Sequence, residues 1–287
     1  MSLYAYEDDI LVYAVEAELR RTYACAGCRG RVRVRKGAAR VPHFYHLSRS
    51  PSCRLYSKSE DHLLAQLFLQ KHLPTGETFL EKPFPDILRV ADIVWEPRKI
   101  VFEIQCSLLS AKEAEHRMKD YKTAGYQVVW ILDDRIFNRR RVRAVEKLIR
   151  LTPCYYATLR RETPVFYDQF EIFYLETRIK KGHSLKVRID RPYILPSFSW
   201  EEERFPSQIL KKTANANLYF QGDLIHRALL SEIIPAFAFS MENFRALERM
   251  SEAQAKREAS VFKKIFTKLV LEPLGLLLLF LLEKAER

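Results

Sequence analysis

Arg89-Val-Ala-Asp-Ile-Val-Trp95 and Lys99-Ile-Val-Phe-Glu-Ile-Gln105 are two β-branched, aromatic-containing runs separated by Glu96-Pro97-Arg98. Such runs around a proline-bearing break predict a β-hairpin, because proline suits the turn and cannot donate to a ladder. With Pro97-Arg98 as a two-residue loop, Glu96 faces Lys99 and Asp92 falls directly opposite Glu103. Val90, Asp92 and Val94 then share a face with Val101, Glu103 and Gln105. Directly opposed residues hold their Cβ atoms about 4.5–5.5 Å apart, where like charges repel. Two acids among valines need a cation, a shared proton or solvent, and a hard divalent ion is the economical answer. Removing either acid should then relieve repulsion and leave folding intact. A one-residue slip of register is the alternative, and it sends the acids to opposite faces.

Upstream, Ser57 or Ser59 can cap a helix whose apolar positions are Leu63, Leu64, Leu67 and Phe68. Its first turn holds Glu60 and Asp61, which either point toward the hairpin or complement the helix dipole. Downstream, Ser110-Ala-Lys-Glu113 is a capping box. It opens a helix that puts Arg117 and Tyr121 one turn apart and ends at Gly125. Gln127-Val-Val-Trp-Ile-Leu132 reads as a buried strand. Residues 57–150 are therefore expected to form an α/β core with two carboxylates on one sheet face.

On either side of this core the sequence changes character. Residues 1–56 are short strand-like pieces containing Cys25-Ala-Gly-Cys28, His43, His46 and Cys53. Zinc in structural sites takes four thiolate or imidazole ligands in a tetrahedron. Arg31-Val-Arg-Val-Arg35 alternates as a strand, and Lys36-Gly37 can turn it back toward the cysteines. The expected ligands are Cys25, Cys28, His46 and Cys53, with His43 in reserve; hydrogen-bonded residues of a small β-domain are the bland alternative. Residues 151–287 read as strands and then helices, the longest from Met241 toward Lys268. Asn217-Leu-Tyr-Phe-Gln-Gly222 resembles the site of a tag-removing protease but runs smoothly into Asp223-Leu-Ile-His, and is read as native. Leu274–Leu282 is apolar, yet with its upstream extension it covers about 14 residues, short of the roughly 20 that span a bilayer. A buried terminal helix, with no stable membrane span, is expected.

The chain has 287 residues, is 48% hydrophobic and has only eight glycines, which excludes wholesale disorder and collagen-like architecture. Its net charge of +12 favours a polyanionic partner. The acidic start is unlike a signal peptide, so a cytoplasmic location is expected, with reduced cysteines available for metal.

The order of motifs resembles the competence protein CoiA-like family. It runs from the Cys-x-x-Cys knuckle through His43-Phe-Tyr-His46, Ser59-x-Asp-His62 and Ala-Asp92 to Glu103-Ile-Gln105. It continues through Arg117-x3-Tyr121-x3-Gly125 to Val129-Trp-Ile-Leu132. The resemblance covers about Tyr23 to Leu132. It implies an α/β (α+β) fold: a zinc-ribbon-like N-terminal domain, a restriction-endonuclease-like core, and a C-terminal region of strands then helices. The implied core is similar to PD-(D/E)xK nucleases, with Asp92 and Glu103 as the metal-binding acids and Gln105 where lysine is usual. Asp61 and His62 match a helix motif. A glutamate of that motif reads as Lys58 here, with Glu60 between, so the helix acid that would join the metal is left open.

Three functions are compatible with these residues. One is a Mg²⁺- or Mn²⁺-dependent DNA nuclease, or processing factor, acting on incoming DNA in natural transformation. Its phosphate contacts would come from Arg117 and from Arg139, Arg140 and Arg141, although such a run is also what a solvated helix face looks like. Another is a DNA-binding scaffold for recombination proteins that keeps the nuclease fold with weak or no cleavage. A purely structural zinc protein is a third, and would bind no divalent ion at the hairpin.

Overall fold

The computed structural model describes residues 1–266 apart from 39, 49, 52, 54, 57, 160–163 and 175. An N-terminal antiparallel sheet comprises β1 (Tyr4–Glu7), β2 (Ile10–Tyr13), β3 (Tyr23–Cys25), β4 (Arg31–Gly37) and β5 (Arg40–His46), in the order β2-β1-β3-β4-β5. The alternation in Arg31–Arg35 buries Val32 and Val34 with Phe44 and turns the arginines outward or to the flank. Position 57 and the apolar segment Leu274–Leu282 lie outside the described residues, and so does any continuation of the last helix toward Lys268.

The chain then enters α1 (Glu60–Lys71), capped by Ser59, whose Oγ accepts from His62 N. Leu63 is fully buried, but Leu64 is half exposed, and Ala65, Gln66 and Leu69 complete the buried face. The stripe expected from Leu63, Leu64, Leu67 and Phe68 is thus rotated, because polar Gln66 is pulled inward by hydrogen bonds to Asp92.

Next come β6 (Thr78–Phe84), β7 (Arg89–Trp95), β8 (Ile100–Gln105), α2 (Ala111–Thr123), β9 (Gln127–Asp133) and α3 (Ala144–Ile149). The hairpin register is the one expected from a two-residue loop: Ile93 pairs with Phe102, Val94 with Val101 and Trp95 with Ile100. β8, β9 and the later β10 (Cys154–Thr158) are parallel, so helical crossovers α2 and α3 link them. Ile93, Phe102 and Ile104 pack toward α1, while Val94, Val101 and Ala91 pack with Ala114 and Tyr121 of α2. Every residue of β8 is buried, at roughly 1.5–3 kcal/mol for each large apolar side chain.

The remaining elements are β11 (Val165–Asp168), β12 (Glu171–Tyr174), β13 (Thr177–Lys181), β14 (Leu185–Lys186), β15 (Arg188–Ile194), α4 (Ser207–Asn215), β16 (Leu218–Gln221), α5 (Leu224–Leu230) and α6 (Pro235–Phe266). The central sheet has the order β14-β11-β10-β9-β8-β7-β6, so strands beyond residue 150 complete it. A boundary at 150 cuts through that sheet. A separate core forms from Phe170, Ile172, Phe205, Ile209, Leu224 and Met241. Beside it lies a buried charge network in which Arg150 and Lys212 both hold Asp168, and Arg178 holds Glu146. The Asn217–Gly222 stretch belongs to this architecture: it forms β16, and Gly222 sits at φ +94° with Lys186 O only 2.2 Å from where a Cβ would be.

Candidate active site

The N-terminal knuckle brings four ligand atoms together. Cys25 Sγ, Cys28 Sγ, His46 Nε2 and Cys53 Sγ lie within 4.8 Å of one another. Cys25 and Cys53 sulfurs are 3.6 Å apart, and Cys28 Sγ is 3.3 Å from His46 Nε2. A zinc tetrahedron with Zn–S bonds near 2.3 Å has edges of about 3.8 Å, so this Cys3His set could hold a metal such as zinc. His43 takes no part: it is buried, with Nδ1 on Val41 O at 2.8 Å. Strand alternation explains this, since His43 and His46 are an odd number of residues apart and point to opposite faces of β5.

The second cluster sits where β7 and β8 part. Their pairing stops at Ile93–Phe102, and Asp92 and Glu103 stand one step beyond. In the β6–β7 ladder, Leu80 pairs with Ile93 and Lys82 with Ala91, which places Glu81 beside Asp92 on the other side. Three acids therefore lie in a row across three adjacent strands. All are buried, with exposures of 0% for Glu81, 3% for Asp92 and 3% for Glu103.

Like charges at this spacing need partners, and each has them. Asp92 Oδ1 accepts from Lys58 Nζ at 2.6 Å, is 3.0 Å from His62 Nε2 and accepts from Gln66 Nε2 at 3.2 Å; Oδ2 accepts from Ile104 N at 2.8 Å. Glu103 accepts from Tyr121 Oη at 2.8 Å and from Arg117 Nη1 at 2.6 Å. Burial raises the Asp92 carboxyl, but the neighbouring His62 and Lys58 overcome it and hold the group well below the usual carboxylate range. Glu103 goes the other way: burial and the charge of Asp92 raise it, despite Arg117. One acid stays ionised while its neighbour is the readier to take a proton.

Lys58, His62, Asp92, Glu103, Gln105 and Arg117 line one cavity of about 110 Å³. Arg117 is largely committed to Glu103 and Glu113 and does not stand free for phosphate. Gln105 donates from Nε2 to Ser107 O at 2.7 Å. The two helix acids do not reach the cavity. Glu60 accepts from Val41 N of β5, and Asp61 pairs with Arg135 at 2.8 Å, because they flank the capped first turn while His62 faces inward. The Arg139–Arg141 run is a surface loop and not a helix face; Arg139 bonds Arg135 O, and Arg141 pairs with Glu176.

A family model described as the nuclease-like domain of competence protein CoiA matches residues 58–185, and one for the CoiA N-terminal domain matches residues 13–56. The chain belongs to the competence protein CoiA family. The CoiA nuclease-like match takes in all three acids and the strands β10 and β11. The CoiA N-terminal match takes in all four Cys3His residues. No curated protein and no solved structure matches the chain.

Two residues beside Asp92 in this CoiA-family chain, Glu81 and Lys58, carry little signal in the sequence. Glu81 is legible in principle: Thr78–Phe84 has strand composition, and pairing it with Arg89–Trp95 puts Glu81 beside Asp92. Lys58 stands out only as a departure from a helix motif. It precedes the helix, so no periodicity pointed its side chain inward.

Proposed function

We propose that the chain is a divalent-metal-dependent DNA nuclease that processes incoming DNA in natural transformation. The observation that carries this reading is the row of three buried acids, Glu81, Asp92 and Glu103, on adjacent strands. Their cationic neighbours are Lys58 and Arg117, with His62 against Asp92 and the Met1 ammonium acting on Glu81. A Mg²⁺ or Mn²⁺ could take the place of one of these cations, and hard carboxylate oxygens on adjacent strands are the right donors. Asp92 and Glu103 would hold the ion, which supplies an activated water and polarises the scissile phosphate. Gln105, uncharged, would orient water and not deprotonate it. The Cys3His cluster would hold structural zinc, which stabilises the small N-terminal sheet.

A second reading has a specific observation behind it: the oxygens of Asp92 and Glu103 already have donors on both sides. If no donor yields, the fold is a DNA-binding scaffold that serves recombination partners with weak or no cleavage. Supercoiled plasmid incubated with the full chain decides between them. Nicking that needs Mg²⁺ or Mn²⁺ and disappears in Asp92→Ala and Glu103→Ala supports the nuclease. Plasmid binding with no nicking at any metal concentration supports the scaffold.

A further inference from the structure

Lys58 lies just outside the Ser59 cap of α1, so helix geometry does not aim its side chain at solvent. Its ammonium instead bridges Asp92 Oδ1 at 2.6 Å and Glu81 Oε1 at 3.0 Å, with the side chain 8% exposed. Glu81 is itself fixed: Oε2 accepts from Ser2 Oγ at 2.5 Å and from Leu3 N at 2.7 Å. Its backbone sits at φ 45°, a left-handed conformation that holds the carboxylate beside Asp92. The Met1 ammonium also acts on Glu81, while Gln105 at the end of β8 is neutral and held by Ser107.

Asp92 Oδ1 is already surrounded by Lys58 Nζ at 2.6 Å, His62 Nε2 at 3.0 Å and Gln66 Nε2 at 3.2 Å. An ion ligated by that oxygen has to displace one of them, and the ammonium is the nearest and the one an incoming cation repels. We propose that Lys58 is a built-in counter-cation that competes with a divalent ion for Asp92, with Glu81 as the carboxylate that retains the ammonium after displacement. This deepens the reading of Asp92 and Glu103 as ion ligands and rests on it. Lys58 keeps the acid row balanced while no ion is bound, and weakens ion binding by the same interaction. Once displaced it stays tethered by Glu81 at the cavity wall, where it can meet a substrate phosphate. Lys58 is thus a positioning residue whose signature is metal affinity, independent of turnover.

Titration calorimetry of zinc-loaded full chain with MnCl2 tests this, because Mn²⁺ is a poor fit to the thiolate cluster. Removing a cation in contact with a ligand carboxylate changes the equilibrium by about 10- to 1000-fold. Lys58→Met should therefore bind Mn²⁺ at least about tenfold more tightly than wild type, while Asp92→Ala loses the site. Lys58→Met orphans two buried acids, and circular dichroism checks its fold. The double variant Lys58→Met/Glu81→Gln removes the orphaned neighbour and should show the same gain. Mn²⁺ bound by either variant but not by wild type supports the proposal even where wild type proves to be no nuclease. Unchanged or weaker Mn²⁺ affinity in a folded variant overturns it, as does absence of binding in all proteins.

Discussion

Asp92 Oδ2 accepts the Ile104 backbone N–H at 2.8 Å, just beyond the last β7–β8 backbone pair. The side chain takes over a ladder bond as the strands separate, so one residue both ends the hairpin pairing and presents Oδ1 to the cavity. Its position is thereby tied to the backbone of the strand that carries Glu103.

Asp92→Ala should abolish cleavage and also destabilise the fold. The sequence alone suggested the opposite, since two opposed acids repel. In the structure the acid holds Lys58, His62, Gln66 and Ile104 N, and breaking a buried pair costs about 3–5 kcal/mol. Asp92→Asn keeps an acceptor for Ile104 and should lose less stability while losing cleavage equally. Urea unfolding curves measure both losses; an Asp92→Ala midpoint at or above wild type would contradict the assignment.

The purified chain should carry about one zinc. Cys25→Ser should lose it and loosen the N-terminal sheet, because Cys25 and Cys53 are buried in the core of that sheet and the metal would tie its two ends together. Elemental analysis gives the stoichiometry, and proteolysis of residues 1–56 reports the loosening. Full zinc content in Cys25→Ser would remove Cys25 from the ligand set.

Legibility in the sequence followed the range of the interactions. Period-2 runs and a proline turn specified the β7–β8 register, and with it the Asp92–Glu103 opposition. The Cys25-x-x-Cys28 spacing specified half of a tetrahedron, while His46 rather than His43 becomes plain only in β5, where the two point to opposite faces. What stayed hidden depends on side chains meeting across elements. Lys58 comes from a loop, Glu81 from a strand that pairs with β7 across Pro85–Leu88, and Asp61 turns to Arg135, 74 residues away. The C-terminal strands looked like a separate region because parallel pairing of β9 with β10 leaves no turn signature.

Asp223 should make stability depend on pH in an unusual direction. It caps α5 through His226 N and accepts from Tyr155 Oη and Phe220 N. Burial, then the charge of Asp168, pushes it up to about 6. Between about pH 4, the unfolded value, and about pH 6 the native state keeps a proton that the unfolded chain has released. Stability from this group therefore falls as pH rises through that window, by on the order of 2–3 kcal/mol, and is level above it. Asp223→Asn should remove the trend, so its stability relative to wild type should grow from pH 4 to 6. A difference that is flat across the window would show that Asp223 is ionised throughout.

Arg139, Arg140 and Arg141 are exposed, and the Arg141–Glu176 pair is too solvated to hold its arginine at much cost. If they contact DNA, log K for a short duplex should fall linearly with log[salt], by about 0.9 per phosphate contacted. Neutralising all three should then flatten the slope by up to about 2.7. The loss should be equal across sequences, because phosphate contacts carry no base information. Melting should be nearly unchanged, since these side chains pack against nothing buried. A slope unaltered in the triple variant would leave the loop as ordinary solvated surface and shift the search for the DNA contact to the other basic faces of the chain.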